Sequence, residues 1–430
     1  MTSAEFVRLA LQIAVMLGFA VLFGQVMRRF HQPAVLGEMI GGIILGPTIF
    51  GLVAPGAFDW LFLSSPDVAV VRDAAIKLGM LFFLFVAGLE IDLSDLRRLG
   101  RRAVAIGLVG TLVPIAAGVA LVYALPRSFW GPGVEEHFFS FALFIGMNLG
   151  NSANPVLARI LMDLGLLGTP IGSMSMAATV VDDLVNWTLF AVILSDISPS
   201  SSTASGTSLP VSIALVLMLF VLILGVGRWL GPRVLHWLKG HVSWPSGFIA
   251  VTALFVLLAA SLSEWLGVHA FLGAFLVGAA LSGHDLEHRE AHEVVTRFVL
   301  SFFAPIYFVS MGMTTDYIAN FDAALVAVIV VVAFSSKLGG VLLGAKLGGM
   351  RLDRETWAIA FGLNARGATG IILASVGLAQ GVIDERIFVG IVVMALITSL
   401  VAGPAMNRLL SERTATTASR KRAVPESNAA

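Results

Sequence analysis

Residues 177–193 read AATVVDDLVNWTLFAVI, an apolar run long enough to cross a bilayer that carries two adjacent carboxylates, Asp182 and Asp183. An ionised aspartate at the centre of a membrane helix costs about 2.5–3.5 kcal/mol on insertion scales, so such residues face a bundle interior or a water-filled cavity and mark an ion or proton path. At helical spacing Thr179, Asp182, Asp183 and Asn186 share one stripe, while Val180, Leu184, Trp187 and Phe190 fill much of the remaining surface. The polar stripe is therefore expected to look inward.

The whole chain supports this membrane reading. Of 430 residues, 57% are hydrophobic and 13% charged, with a mean hydropathy of +0.92, whereas a soluble domain carries about 25% charged residues. Equal numbers of basic and acidic residues, 27 each, give no net field that would point to nucleic acid. There is no cysteine, which excludes disulfides, iron–sulfur clusters and thiol chemistry. Residues 6–27 are too long for a signal-peptide core and lack a small-residue cleavage pattern, so they are expected to stay as a spanning helix.

Apolar stretches of roughly 17–25 residues occur thirteen times, near 6–27, 33–51, 74–92, 103–124, 137–162, 170–195, 208–230, 246–265, 267–283, 297–314, 322–345, 356–380 and 386–410. With the N-terminus outside, twenty basic residues fall on the cytoplasmic side, five outside, and Lys337 and Arg366 within the membrane. That bias is the positive-inside pattern. Thirteen spans divide as six, one and six, and a single linker helix near 208–230 then inverts the second unit relative to the first. The Ser-rich stretch before it, SDISPSSSTASGTS, has the composition of a flexible connection. Residues 411–430 are polar and basic and are expected to be a disordered cytoplasmic tail. The tail holds no GxGxxG unit, so no nucleotide-sensing domain is expected.

In this division the fifth span corresponds to the twelfth, and both are interrupted. The fifth contains GMNLGNSANP, with Asn151, Ser152, Asn154 and Pro155; the twelfth contains GLNARGATG, with Asn364, Arg366 and Gly367. Paired interruptions in corresponding halves point to a midplane ion site, because freed carbonyls and half-helix ends can coordinate a cation. Polar residues in both breaks speak against ordinary kinks. The side-chain oxygens of Asn151 and Ser152 are hard donors of the type suited to Na⁺.

Lys337 lies about fifteen residues into the eleventh span. A bare ammonium there is costly, so it pairs with a carboxylate, is held neutral, or snorkels to an interface; Asp182 is the obvious partner. Arg366 could balance the half-helix C-terminal ends, pair with an acid such as Glu90, or do both. Glu90 and Asp92 read as a solvated helix end. Glu38 is flanked by Pro33, Gly41, Gly42, Gly46 and Pro47, which suggest tight helix crossings. His284, His288 and His292 recur every four residues in a charged helix, either a solvated face or a pH sensor.

Four stretches together carry a family resemblance: QPAVLGEMIGGIILGPT at 32–48, LFFLFVAGLEID at 81–92, NPVLARIL from 154 leading to the aspartate pair, and HAFLGAFLVG at 269–278. They resemble the monovalent cation/proton antiporter-2 family of the sodium/proton exchanger superfamily. The resemblance implies an all-α membrane fold of about thirteen helices, with inverted six-helix repeats and two broken helices crossing in the core. It implies a core domain at about 103–195 and 322–410 and a dimerisation domain at about 6–92 and 246–314, all within a membrane domain spanning 1–410. It also implies a homodimer in the cell (inner) membrane. Asp183 matches the family's cation- and proton-binding aspartate, and so would hold the Na⁺; Asp182 and Lys337 match an ion-paired couple typical of electrogenic sodium/proton members. Asn148 and Asn154 stand where members of that family often carry hydroxyl or apolar residues, which leaves K⁺ open beside Na⁺ or Li⁺. The expected activity is secondary antiport of these cations against H⁺ by alternating access, with a channel or a transport-inactive sensor as other-class alternatives. No cofactor and no covalent chemistry are implied.

Overall fold

The computed structural model describes residues 2–422 apart from 31–33, 64, 90–92, 132–136, 167–168, 198–213, most of 215–245, 267–269 and 283–288. Among the described residues the secondary structure is helical throughout, with no strand. The longer helices run in order α1 Ser3–Arg29, α2 Ala34–Leu45, α3 Pro66–Leu89, α4 Leu93–Ala124, α5 Phe138–Gly150, α6 Asn154–Asp163, α7 Pro170–Ile197 and α8 Ser246–Trp265. They continue as α9 Ala270–Leu281, α10 Arg289–Phe298, α11 Ala304–Gly312, α12 Ala323–Leu347, α13 Arg354–Leu363, α14 Ala368–Ala379 and α15 Glu385–Arg422. Gly100, at φ 55°, kinks α4 and separates its polar beginning from the apolar part.

Six stretches of helix among the described residues have the length and hydropathy of a membrane span: Ser3–Arg29, Ala34–Gly51, Gly100–Ala124, Glu293–Gly312, Ala323–Leu347 and Glu385–Leu410. Several other apolar helices are shorter, and for two of them the reason lies in the sequence. The stretches expected as the fifth and twelfth spans are each split into two half-helices, α5/α6 and α13/α14. At the other end, α15 runs on to Arg422, through much of the stretch expected as a disordered tail. The added segment SERTATTASRKR contains no Gly or Pro, and its Ala, Arg, Lys and Glu residues are good helix formers.

The densest packing falls into two groups of helices. In one, α1, α2 and α11 pack together and α3 packs with α9 and α11; in the other, α4 packs against α5, α7 and α12, and α13 and α12 pack against α15. Helix association in lipid is driven by close packing rather than by the hydrophobic effect, so small residues set the tightest crossings. The expectation for Gly42 holds: a Cβ added there would lie 2.1 Å from Val309 O of α11. In the second group, a Cβ on Gly118 of α4 would lie 2.4 Å from Gly146 Cα of α5. That crossing seats the end of α5 deep in the bundle. Between the groups, Trp187 of α7 packs on Phe275 of α9 with ring centroids 5.3 Å apart.

Candidate ion-binding site

The two interruptions meet. Helix α5 ends at Gly150, and Asn151 turns to extended backbone (ψ 135°) before α6 starts after Ala153. Helix α13 ends at Leu363, and α14 starts after Gly367. The two breaks are joined by the Ala153 N–H donating to Ala365 O at 2.9 Å and the Ser152 hydroxyl donating to Leu363 O at 2.6 Å. Pro155 stands in the first turn of α6, where a missing N–H costs nothing because that turn has no intrahelical acceptor. Gly367 gives clearance: a Cβ there would sit 2.6 Å from Val156 Cγ2.

Each break exposes the carbonyl end of a half-helix, where the macrodipole is negative. Two buried cations satisfy those ends. The Lys337 ammonium, from α12, donates to Gly150 O, the last carbonyl of α5. The Arg366 guanidinium donates to Leu149 O, to Ala333 O at 2.9 Å, and to the Asn364 backbone and side-chain oxygens at the end of α13. These contacts are those of the half-helix reading of Arg366; Glu90, the acid named as its other partner, lies outside the described residues. The Asn364 side chain in turn donates to Phe334 O at 3.1 Å, and the Ser399 hydroxyl of α15 donates to Arg366 O.

Helix α7 lays its polar stripe across this crossing. Asp182 is 1% exposed and accepts four hydrogen bonds. Its Oδ2 takes the Ser152 N–H at 2.7 Å and the Lys337 ammonium at 3.1 Å; its Oδ1 takes the Thr111 hydroxyl at 2.5 Å and the Asn186 amide at 3.0 Å. Lys337 is thus buried in an ion pair, and the interface alternative for it is excluded. Asp183, one residue on, accepts the Asn154 amide on Oδ2 at 2.7 Å, and the Thr179 hydroxyl donates to Asn154 Oδ1. Asn151 Oδ1 is reached by the Asn186 amide at 3.5 Å.

The arrangement buries two carboxylates, one ammonium, one guanidinium and a set of neutral amide and hydroxyl groups together at the crossing. Asp182 is saturated by donors, while Asp183 sits beside amide and hydroxyl side chains, a setting in which a cation or a proton can neutralise it. Asp182, Asp183, Lys337, Asn151, Ser152, Thr179, Asn154, Asn364 and Arg366, all singled out in the sequence, are brought together here. Thr111 was not among them: one hydroxyl in an apolar helix is ordinary, and only the α4–α7 crossing shows its target. Glu38 is buried on α2, which packs with α1 and α11 in the other group. Asp92, His284 and His288 lie outside the described residues, and His292 falls on α10.

A family model described as "Sodium/hydrogen exchanger, transmembrane" matches residues 15–412. The chain belongs to that family. Among relatives of this exchanger-family chain, the Na(+)/H(+) antiporter NhaS4 of Synechocystis sp. is 32% identical over 399 residues, covering 91% of this chain and 94% of that one. The Na(+)/H(+)-K(+) antiporter GerN of Bacillus cereus is 28% identical, covering 91% and 94%. The K(+)/H(+) antiporter 1 of Saccharomyces cerevisiae is 31% identical over 87% of this chain, which matches 43% of the longer yeast protein. In fold, the exchanger is similar to the solved sodium proton antiporter MjNhaP1 from Methanocaldococcus jannaschii, with a TM-score of 0.68 at 15% identity, covering 94% of this chain and 99% of that one.

Proposed function

We propose that this protein is a secondary-active antiporter that exchanges internal Na⁺ or Li⁺ for external H⁺ by alternating access. The observation that carries the reading is the buried Asp182–Lys337 ion pair beside Asp183 at the crossing of the two broken helices. In this reading proton and cation compete for Asp183, and a cation arriving there weakens the hold of Asp182 on Lys337. A lysine released in this way can carry a proton, so each cycle moves net charge. The ions are cargo and the protein needs no cofactor. The reading extends to thirteen spans with inverted repeats, an outside N-terminus, the core and dimerisation boundaries given above, and a homodimer in the cell membrane.

A K⁺/H⁺ antiporter is the second reading. It is supported by the amide at Asn154, which holds Asp183, and by the yeast relative, which is named for potassium, while the Bacillus relative is named for both sodium and potassium.

The test is proton flux in reconstituted vesicles, with Na⁺, Li⁺ and K⁺ offered in turn and a membrane potential imposed. Exchange driven by Na⁺ and Li⁺ that responds to the potential is the expected result. Exchange driven by K⁺ alone replaces the first reading with the second, potential-independent exchange removes the electrogenic part, and uncoupled ion leak removes both.

A further inference from the structure

At one end of the bundle three consecutive residues open α15, and each makes a different contact. Asp384 accepts the Ile387 N–H on Oδ1 at 2.8 Å and so caps its own helix. Arg386 ties this start into its own group of helices: it donates to Asp322 Oδ2 at 2.7 Å, at the start of α12, and to Phe129 O, between α4 and α5. Glu385 reaches the other way. Its Oε2 accepts the Asn320 amide at 2.8 Å and the Thr315 hydroxyl.

Thr315 and Asn320 belong to residues 313–321, which lead from α11 to α12, and this segment is bonded to the first group. The Thr48 hydroxyl, just beyond α2 and 4% exposed, accepts the Tyr317 N–H at 3.0 Å and donates to Thr315 O at 3.4 Å. Gly46 lets the segment lie close, since a Cβ there would sit 2.9 Å from Met313 Cα. The Asn320 amide is braced by also donating to Asp316 O at 3.0 Å. The Glu385 carboxylate therefore joins the two groups at their rim, with α15 on one side and the segment held by α2 on the other. Glu385 is exposed, so water can take over its hydrogen bonds when the contact parts, and the contact can open and close at little cost.

We infer that Glu385 is a positioning residue for the antiport cycle, a latch that holds the two groups of helices together at this end and lets go when the site opens there. The inference rests on the alternating-access reading given above. In the orientation proposed with it, the spans containing α2 and α11 end outside and the span of α15 begins there, so this is the outer rim. Below the rim, Ser375 of α14 is 8% exposed and its hydroxyl donates to Met311 Sδ of α11, across the boundary between the groups. Parting of the groups at the rim uncovers Ser375.

The chain has no cysteine, so Ser375→Cys supplies a single thiol. The experiment measures how fast a membrane-impermeant maleimide added outside right-side-out vesicles labels it, alone and combined with Glu385→Ala, Asn320→Ala or Glu385→Gln. The two alanine variants should label about fivefold faster, the shift that follows from losing one ordinary hydrogen bond. Glu385→Gln keeps an oxygen that accepts from both donors and should label like the parent. Unchanged labelling in both alanine variants overturns the inference. So does acceleration in Glu385→Ala with none in Asn320→Ala, the signature of a charge lost from the first turn of α15; Thr315→Val replaces Asn320→Ala if that variant does not insert. The antiport reading itself fails on a different result, an absence of cation-driven proton flux in the wild type.

Discussion

Lys337 Nζ of α12 lies 3.1 Å from Asp182 Oδ2 of α7, 155 residues away in sequence, with both side chains at most 2% exposed. A buried pair of this kind is weak evidence for stability in itself, but breaking it on one side leaves an uncompensated charge. Lys337→Gln is therefore expected to lower stability by about 3–5 kcal/mol. The double variant Asp182→Asn, Lys337→Gln should recover much of that loss, because neither charge remains. Thermal unfolding in detergent measures both, and a single variant as stable as the wild type would contradict the buried pair.

Asp183→Asn removes a buried charge while keeping the shape of the side chain. Folding and vesicle insertion should be nearly unchanged, and cation-driven proton flux should fall to the level of empty vesicles. Near-wild-type flux in this variant would exclude Asp183 as the shared carrier.

Arg366 holds carbonyls from three places at once, Leu149, Ala333 and Asn364, with the planar fork of its guanidinium. Lysine keeps the charge but offers a single compact head, so at least one buried carbonyl loses its donor. Arg366→Lys is expected to cost about 2–3 kcal/mol, the scale for hydrogen bonds to charged groups and for orphaned buried acceptors. The unfolding midpoint of purified protein reads this directly; a fully tolerated lysine would show that charge, and not geometry, is what the crossing needs.

The Gly118–Gly146 contact gives a prediction about packing alone. Gly118→Val forces atoms into backbone of α5, and overpacking of this sort costs about 1–3 kcal/mol or more. Gly339, on α12, has open space where a Cβ would go, so Gly339→Ala should be neutral or slightly stabilising through helix propensity. Equal thermal stability of the two variants would refute the close approach of α4 and α5.

Membrane orientation is tested at the C-terminus. Thirteen spans from an outside N-terminus leave the residues after 410 in the cytoplasm, so a C-terminal reporter that works only there should be active. Labelling of the tail from outside intact cells would overturn both the orientation and the inverted-repeat division, because an even span count removes the inversion.

The membrane class, the aspartate pair, the two interruptions and the intramembrane lysine are legible from the order of residues along the chain. These are readable because each violates a local rule: a charge, or a run of Gly, Pro and Asn, inside an apolar span is costly in lipid unless it is used. Tertiary structure decided the pairings. That Ser152 and Ala153 bond to Leu363 and Ala365, that Lys337 and Arg366 close the ends of α5 and α13, and that Thr111 reaches Asp182 are contacts between residues far apart in the chain. Helical periodicity places a side chain on a face of its own helix, but the helix crossings decide what that face meets. Thr111 is the clearest case, since nothing in its apolar neighbourhood distinguishes it until α4 is laid across α7.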